Sequence, residues 1–131
     1  MKRSEAREKA FQFLFQIDIN CEVHEGSIQE YVEEQGNDPF LNQLIQGVID
    51  KKSSLDEIIA NHLENWSLDR IAAVERTILR LATFEIKHLE DIPLNVSINE
   101  AVELGKRFGD EKSGRFINGV LSNIEKRGNE S

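Results

Sequence analysis

Two arginines and two phenylalanines recur every four residues near the start of the chain, as Arg3, Arg7, Phe11 and Phe15. At 100° per residue these side chains form a stripe along one side of a helix. Cations at a helix N-terminus oppose the helix dipole, so their placement needs another reason. Arginines that hold phosphates beside rings that stack on bases are typical of surfaces for single-stranded nucleic acid. The alternative is that Phe11 and Phe15 pack under a neighbouring helix.

A second group of the same kind lies near the other end of the chain. When the apolar residues of the last helix face the core, Phe116 points away from it. The residues around Phe116 on this outer side are Lys112, Arg115, Gly119, Asn123 and Lys126. A ring beside a bare glycine and several cations is typical of a stacking platform, because stacking contributes roughly 1–3 kcal/mol per base. Phe116 could instead pack against the first helix, and both interpretations hold if the two basic edges meet.

Residues that commonly catalyse reactions or bind metals are scattered. The three histidines, His24, His62 and His88, are far apart in sequence, so we expect surface or partly buried histidines. Gly105-Lys106 lacks the earlier glycine and the following Ser or Thr of a phosphate-binding loop, and it falls inside a predicted helix. We therefore expect no enzymatic activity, no cofactor and no metal site.

Two carboxylates, Glu75 and Glu85, fall towards the buried stripe of the helix that carries them. Buried carboxylates can act as acids or bases in catalysis, but they are more often paired with arginines. We expect these two to pair with an arginine such as Arg76 or Arg80 on a neighbouring turn or helix.

The charge of the chain is acidic overall and uneven along its length. Its 131 residues include 16 lysines and arginines and 24 aspartates and glutamates, a net charge of −8. Residues 1–9 carry +2, residues 10–69 carry −10, and residues 70–131 carry no net charge. The total argues against nucleic acid binding, but charges separated by more than the Debye length of about 8 Å hardly affect each other. A local basic surface therefore remains compatible with a solvated acidic face elsewhere.

Composition indicates a soluble protein of the cytoplasm. Hydrophobic residues make up 39% and charged residues 31% of the chain, a balance typical of globular rather than disordered proteins. Cys21 is the only cysteine, which excludes an internal disulfide and fits a reducing compartment. No apolar run approaches the roughly 18 residues of a membrane span, so we expect no membrane association.

Apolar residues recur at helical spacing throughout the chain, and no segment alternates in the manner of a strand. This pattern predicts an all-α fold, a single compact domain of about six or seven helices over residues 1–131. Helix starts are predicted at Ser4, at Ser27 with Glu30, at Asp38 with Pro39, at Ser67, at Ser97 with Glu100 and near Ser113. The segment after Pro39 keeps helical spacing for about seven turns, which favours one long helix up to Leu63. The last helix is predicted to end at residues 126–128, where two cations precede a glycine.

Four segments, in order along the chain, resemble the NusB family of transcription antitermination factors. They are residues 6–15, 70–81, 92–106 and 115–121. The last of these, Arg-Phe-Ile-Asn-Gly-Val-Leu, is similar to the family's Lys-Phe-Val-Asn-Gly-Val-Leu and is the most specific, together with Ile-Asn-Glu-Ala at 98–101. Residues 20–65 are only loosely alike. The family's fold is all-helical, which agrees with the pattern of apolar residues.

The resemblance implies a function in transcription. Members of the family bind the boxA element of nascent ribosomal RNA transcripts, a single-stranded RNA, together with NusE, a ribosomal small-subunit protein. The resulting antitermination complex helps RNA polymerase to resist termination. The RNA-binding residues carried over to this chain are Arg3, Arg7, Phe15, Arg115 and Phe116. With the cations Lys2 and Lys112 they form the predicted RNA-binding set. The N-terminus has fewer arginines than some relatives and Phe15 stands where tyrosine is common, which predicts more reliance on the protein partner.

Two alternatives stay open at this point. NusB-like domains also form the N-terminal part of ribosomal RNA cytosine methyltransferases, but this reading requires a longer parent chain with a methyl-donor domain. The chain could also be a protein-interaction module whose acidic block contacts a basic partner, and ribosomal proteins are basic. The sequence leaves open whether the chain forms a homodimer.

Overall fold

A computed structural model of the chain describes residues 1–20 and 26–124. All regular structure in these residues is helical, which confirms the predicted all-α fold. The helices are α1 (Arg3–Asn20), α2 (Ser27–Glu34), α3 (Pro39–Asp50), α4 (Lys52–Ala60), α5 (Ala73–His88), α6 (Leu94–Phe108) and α7 (Glu111–Leu121). Within the described residues no helix combines the length and the apolar character that crossing a membrane requires. Cys21, His24 and the predicted helix end at 126–128 lie outside these residues.

Helix α5 forms the centre of the fold. Ten consecutive residues, from Thr77 to Ile86, are buried, as expected of a helix with neighbours on all sides. Helices α1, α3, α4, α6 and α7 all pack against it. Their apolar stripes supply the core, with buried side chains such as Phe11, Leu44, Leu55 and Ile117.

Helix α3 approaches α5 closely at Gly47. A β-carbon built on Gly47 would lie 2.1 Å from Cζ of Phe84, which is well inside van der Waals contact. Phe84 is buried, so its ring fills the space that a side chain at position 47 would need. The glycine therefore sets the distance between these two helices.

Some predicted helix ends are confirmed. The carboxylate of Asp38 accepts a hydrogen bond from the Leu41 amide at 3.0 Å, and Pro39 begins α3. Gly109 follows α6 as its C-cap. These ends are fixed by local chemistry, a capping carboxylate, a proline in the first turn and a glycine after the last turn.

Other predicted helix starts are wrong in their position or in their cap. Helix α1 begins at Arg3, so Ser4 lies inside it. Helix α2 begins at Ser27 as predicted, but the capping box does not form, because the N-cap is Gly26, whose φ is 90°. Helix α6 begins at Leu94, so Ser97 and Glu100 lie inside it instead of capping it, and both side chains contact a buried ion pair described below.

The long helix predicted after Pro39 is in fact two helices. The chain turns at Lys51, whose φ is −112° and ψ 15°, between α3 and α4. This turn places Leu55 and Ile59 of α4 in the core beside α5. The exposed pair Lys51 and Lys52, which interrupts the apolar face in the sequence, marks the break.

Candidate nucleic-acid interface

The rotation of helix α7 decides what the second predicted cluster presents. Asp110 caps the helix, since its carboxylate accepts hydrogen bonds from the Ser113 amide at 2.8 Å and the Ser113 hydroxyl at 3.1 Å. These bonds hold the pKa of Asp110 below its ordinary value. Ile117 and Leu121 are fully buried on the inner side. The opposite side of α7 therefore faces out of the fold.

An open groove of about 360 Å³, which we call the α7 groove, lies along this outer side. One wall is formed by Arg115, Phe116, Gly119 and Asn123. Arg115 is exposed, and Phe116 is half-buried with its inner part against the core. Gly119 has no neighbouring atom within 4 Å of where a β-carbon would be. The groove thus has a ring, a cation and a bare backbone at its surface.

The structure brings part of the predicted second cluster together. Arg115, Gly119 and Asn123 line one groove with Phe116, as expected, but Phe116 packs partly against the core instead of pointing fully away from it. Lys112 is exposed on the preceding turn of α7, and it does not line the groove. Lys126 lies beyond the described part of the chain.

The opposite wall of the groove is the segment that follows α4. The ring nitrogen Nδ1 of His62 lies 2.8 Å from the carbonyl oxygen of Ile58. The Leu63 amide donates to the Ala60 carbonyl at 3.2 Å, and the Leu63 side chain packs against the core. These contacts fix the turn and carry the chain to Trp66, whose surface is 59% exposed.

The first predicted cluster does not form a continuous exposed edge. Phe11 is only 2% exposed and Arg7 only 3%. The ring of Phe11 lies 4.8 Å from that of Phe108 in α6 and 5.5 Å from that of Phe15, between ring centroids. The alternative that these rings pack under a neighbouring helix is therefore confirmed for Phe11. Phe15 keeps part of its surface in solvent, and Arg3 is exposed.

Arg7 is buried, so the prediction that it belongs to the RNA-binding surface is wrong. Its Nε and Nη2 atoms each donate to a carboxylate oxygen of Glu85 at 2.9 Å, and its Nη1 donates to Glu100 at 3.1 Å. The Ser97 hydroxyl donates to the same Glu85 carboxylate at 3.0 Å. A buried carboxylate needs such partners because an unpaired charge in the interior is strongly destabilising. Arg7 thus joins α1 to α5 and α6, and its guanidinium is not available to a phosphate.

The arginines expected to pair with Glu85 are used elsewhere. Arg76 donates to Asp18 at 2.6 Å, and Arg80 donates to Asp18 at 3.0 Å and to Asp56 at 2.6 Å. Burial raises the pKa of Asp18, but the hydrogen bonds and charges of the two arginines outweigh burial and hold that pKa below its ordinary value. This network joins α1, α4 and α5, so it is structural in position.

The N-terminal cations stand at the surface. Lys2 is exposed, and the guanidinium of Arg3 lies 4.4 Å from the centroid of the Phe40 ring. Arg3 also lies 3.6 Å from the carboxylate of Asp91, with both side chains more than half exposed. Such surface pairs contribute only about 0–1 kcal/mol. Arg3 can therefore exchange its present partner for another anion at little cost.

The C-terminal end of α6 contacts α1 and precedes α7 in the chain. Phe108 contacts Phe11 of α1, and Arg107 is paired with Glu8, which also belongs to α1. Lys112 follows a few residues later at the start of α7. Helix α6 therefore packs against both α1 and α7, but these contacts do not join Lys2 and Arg3 to the groove.

No group of three or more metal-binding side chains occurs within residues 1–20 and 26–124. The His62 ring contacts a backbone carbonyl, and the His88 ring lies 5.4 Å from the Phe84 ring. The described histidines therefore occupy the surface or partly buried positions that the sequence predicts.

The model of the NusB family matches residues 4–126 of this chain. The chain belongs to the NusB family. Transcription antitermination protein NusB of Bacillus subtilis (strain 168) is 56% identical over 125 residues, which cover 95% of each chain. The NusB family resemblance seen in the sequence is thereby confirmed.

Solved structures agree with this NusB assignment. T. maritima NusB superposes with a TM-score of 0.85 at 37% identity, covering 95% of this chain and 90% of that one. A chain in the crystal structure of antitermination factors NusB and NusE in complex with dsRNA gives a TM-score of 0.80 at 34% identity, covering 95% and 97%.

The sequence does not predict the wall of the groove formed by residues 62–66, which includes Trp66. Trp66 lies 50 positions before Phe116 in the chain, and neither periodicity nor a motif joins them. The available signal is a lone tryptophan in the polar segment Glu64–Ser67, just after a helix. Tryptophan is enriched at binding surfaces, so one placed between polar residues is a weak signal of a surface role.

Proposed function

We propose that this chain is a non-catalytic transcription antitermination factor. It binds the boxA element of nascent ribosomal RNA transcripts together with NusE, and it joins the RNA polymerase antitermination complex in the cytoplasm. The residues that contact RNA in this proposal are Lys2, Arg3, Phe15, Lys112, Arg115 and Phe116. Arg7, which the resemblance included, acts instead by holding α1 in place.

The observation that carries the proposal is the α7 groove. The Phe116 ring and the Arg115 guanidinium lie on one wall, and Gly119 leaves the surface between successive helical turns bare. A base can stack on the ring while the arginine holds a phosphate, which is how proteins commonly bind single-stranded RNA. The relative found with NusE and dsRNA supports RNA and NusE as partners.

The match to full relatives favours antitermination over the methyltransferase alternative. The Bacillus subtilis relative, a transcription antitermination protein, is covered over 95% of its length. The acidic block of residues 10–69 supports a basic partner, because opposite charges favour association and orient it. A ribosomal protein such as NusE has the required charge.

A binding titration tests the site. Fluorescence anisotropy of a labelled boxA RNA is measured at moderate salt with the wild type, Arg115→Glu, Phe116→Ala and the control Lys51→Glu. Lys51 is exposed at the turn between α3 and α4, so its reversal changes net charge as Arg115→Glu does but leaves the groove intact. We expect roughly tenfold weaker binding for Arg115→Glu and roughly 5- to 150-fold for Phe116→Ala. Equal affinity for all four proteins would refute the site.

The salt dependence tests the charges. Each phosphate contact on single-stranded RNA contributes about −0.7 to the slope of log K against log salt. The four exposed cations of the proposed surface then allow a slope no steeper than about −2.8. Adding NusE should strengthen binding at every salt concentration. A flat response would remove the electrostatic part of the proposal.

A further inference from the structure

Trp66 has the largest exposed fraction among the large hydrophobic side chains in the described residues. It is 59% exposed, compared with 53% for Ile19 and 48% for Met1. It is also the only tryptophan of the chain. Its neighbours in sequence, Asn65 and Ser67, are polar. A single exposed apolar residue is common on protein surfaces, so what distinguishes Trp66 is its position at the groove, together with the enrichment of tryptophan at binding surfaces.

The structure places this ring at the α7 groove. Trp66 stands on the wall opposite helix α7, and both walls border the same space of about 360 Å³. The turn that precedes Trp66 is held by the His62 ring and by Leu63, which packs against the core. Trp66 follows Leu63 by three residues, so it lies close in the chain to a packed residue.

The chemistry of the groove favours a nucleotide over an apolar peptide. Two aromatic rings, Trp66 and Phe116, offer flat faces, and Arg115 offers a cation for a phosphate. The side-chain amide of Asn123 donates to the Gly119 carbonyl at 3.1 Å, and its Oδ1 atom can accept a hydrogen bond from a base edge. Between them Gly119 presents no side chain, so a flat group can reach the backbone of the helix. An apolar peptide would offer no partner to the Arg115 guanidinium.

We propose that Trp66 is a second base-stacking residue of the RNA groove, placed across it from Phe116. This inference rests on the proposed function and deepens it, because it assigns the ligand of the opposite wall as a base of the same single-stranded RNA. The two rings then hold the RNA from both sides, with Arg115 at the phosphate.

The single tryptophan makes a direct measurement possible. Intrinsic fluorescence of the full chain is recorded while a boxA-like RNA is added, with anisotropy of a labelled copy of the RNA measured in parallel. We expect quenching of the Trp66 emission that saturates at the same RNA concentration as the anisotropy. RNA binding without any change in tryptophan emission would overturn the inference.

Substitutions complete the test. Trp66→Ala should weaken RNA binding roughly 5- to 150-fold, and Trp66→Phe, which keeps a ring, should restore most of it. Ile19→Ala is the matched control, because Ile19 is nearly as exposed but does not line the groove. Far-UV circular dichroism and thermal melts establish that each variant is folded. Wild-type affinity in Trp66→Ala would overturn the inference.

The outcomes separate this inference from the proposed function. If Phe116→Ala and Arg115→Glu weaken RNA binding but Trp66→Ala does not, the second stacking site is wrong and the RNA site stands. If the wild type with NusE binds no boxA RNA, both fail. If the Trp66 emission responds to NusE without RNA and Trp66→Ala weakens only NusE binding, the wall belongs to a protein interface and the inference is overturned.

Discussion

Arg7→Met should destabilise the protein strongly because it strands a buried carboxylate. The side chain of Glu85 is 2% exposed, and two of its three described hydrogen bonds come from Arg7. Removing one partner of a buried ion pair typically costs about 3–5 kcal/mol. Glu100, whose side chain is 29% exposed, can turn to water and adds little. Since domains are stable by only about 5–15 kcal/mol, this loss is a large share of the total.

The double variant Arg7→Met, Glu85→Leu should be more stable than Arg7→Met alone. It removes both charges, so no ion is left unpaired, and replacing buried ion pairs by apolar residues is often neutral or stabilising. The double variant still loses the hydrogen bond that the Ser97 hydroxyl donates to Glu85, and an unpaired buried hydroxyl costs about 1–3 kcal/mol. The double variant should therefore lose less stability than the sum of the losses of the two single variants.

Urea denaturation at pH 7, followed by far-UV circular dichroism, measures the free energy of unfolding of the wild type, Arg7→Met, Glu85→Leu and the double variant. Arg107→Met is the matched control, because Arg107 is 66% exposed and its pair with Glu8 lies at the surface. We expect Arg107→Met to lower the free energy of unfolding by about 0–1 kcal/mol. If Arg7→Met were as mild as Arg107→Met, or if the double variant were at least as unstable as the two single changes combined, the assignment of Arg7 to a buried pair would be refuted.

Three further outcomes are expected. Gly47→Ala should destabilise by about 1–3 kcal/mol in thermal or urea unfolding, since its methyl group would overlap the Phe84 ring, and an unchanged stability would contradict the close approach of the helices. Gly119→Ala should instead stabilise by up to about 1 kcal/mol, because its methyl group has free space in a helix, yet it should weaken RNA binding in an anisotropy titration by narrowing the groove. The pKa of Asp18 is lowered in the folded state, so its pairing stabilises the protein above the unfolded pKa of about 3.9 and this stabilisation is lost as pH falls through the folded pKa. The free energy of unfolding should therefore fall less steeply below about pH 4 in Asp18→Asn than in the wild type, and identical pH profiles would contradict the pairing.

Helical periodicity was enough to predict the fold class and most of the core. The apolar stripe of α7 is an example, since Ile117, Val120, Leu121 and Ile124 are all buried as their spacing predicts. Local chemistry also predicts some ends, such as Asp38 with Pro39 at the start of α3. These features depend on residues within a few turns of one another, which a single sequence displays directly.

Polar residues whose partners are distant in sequence were placed wrongly. Arg7 lies 78 positions before Glu85, so nothing near it in the sequence indicates that it is buried. Ser97 and Glu100 have the spacing of a capping box, but the same two side chains serve the Arg7–Glu85 pair inside α6. A Ser-x-x-Glu pattern is a local signal, and a buried charge elsewhere in the fold competes for both side chains.

The two walls of the α7 groove also differ in whether the sequence predicts them. Helical spacing around Phe116 predicts the α7 wall of the groove, because all of its residues belong to one helix or the turn after it. The wall with Trp66 comes from a segment between two other helices, and only the packing of the core brings it there. A site made by one element is therefore visible in the sequence, whereas its opposite wall is a property of the fold.

The buried ion pairs also change how the charge of the chain bears on RNA binding. Arg7, Arg76 and Arg80 are each paired inside the fold with carboxylates. They therefore lend no charge to the surface, and the proposed RNA contacts retain Lys2, Arg3, Lys112 and Arg115. Against a net charge of −8, four cations supply limited attraction for a polyanion. Stacking on aromatic rings depends little on charge, so under the proposed function the α7 groove provides much of the affinity. A basic protein partner on the acidic surface would supply the rest, because it neutralises the repulsion that the chain alone presents to RNA.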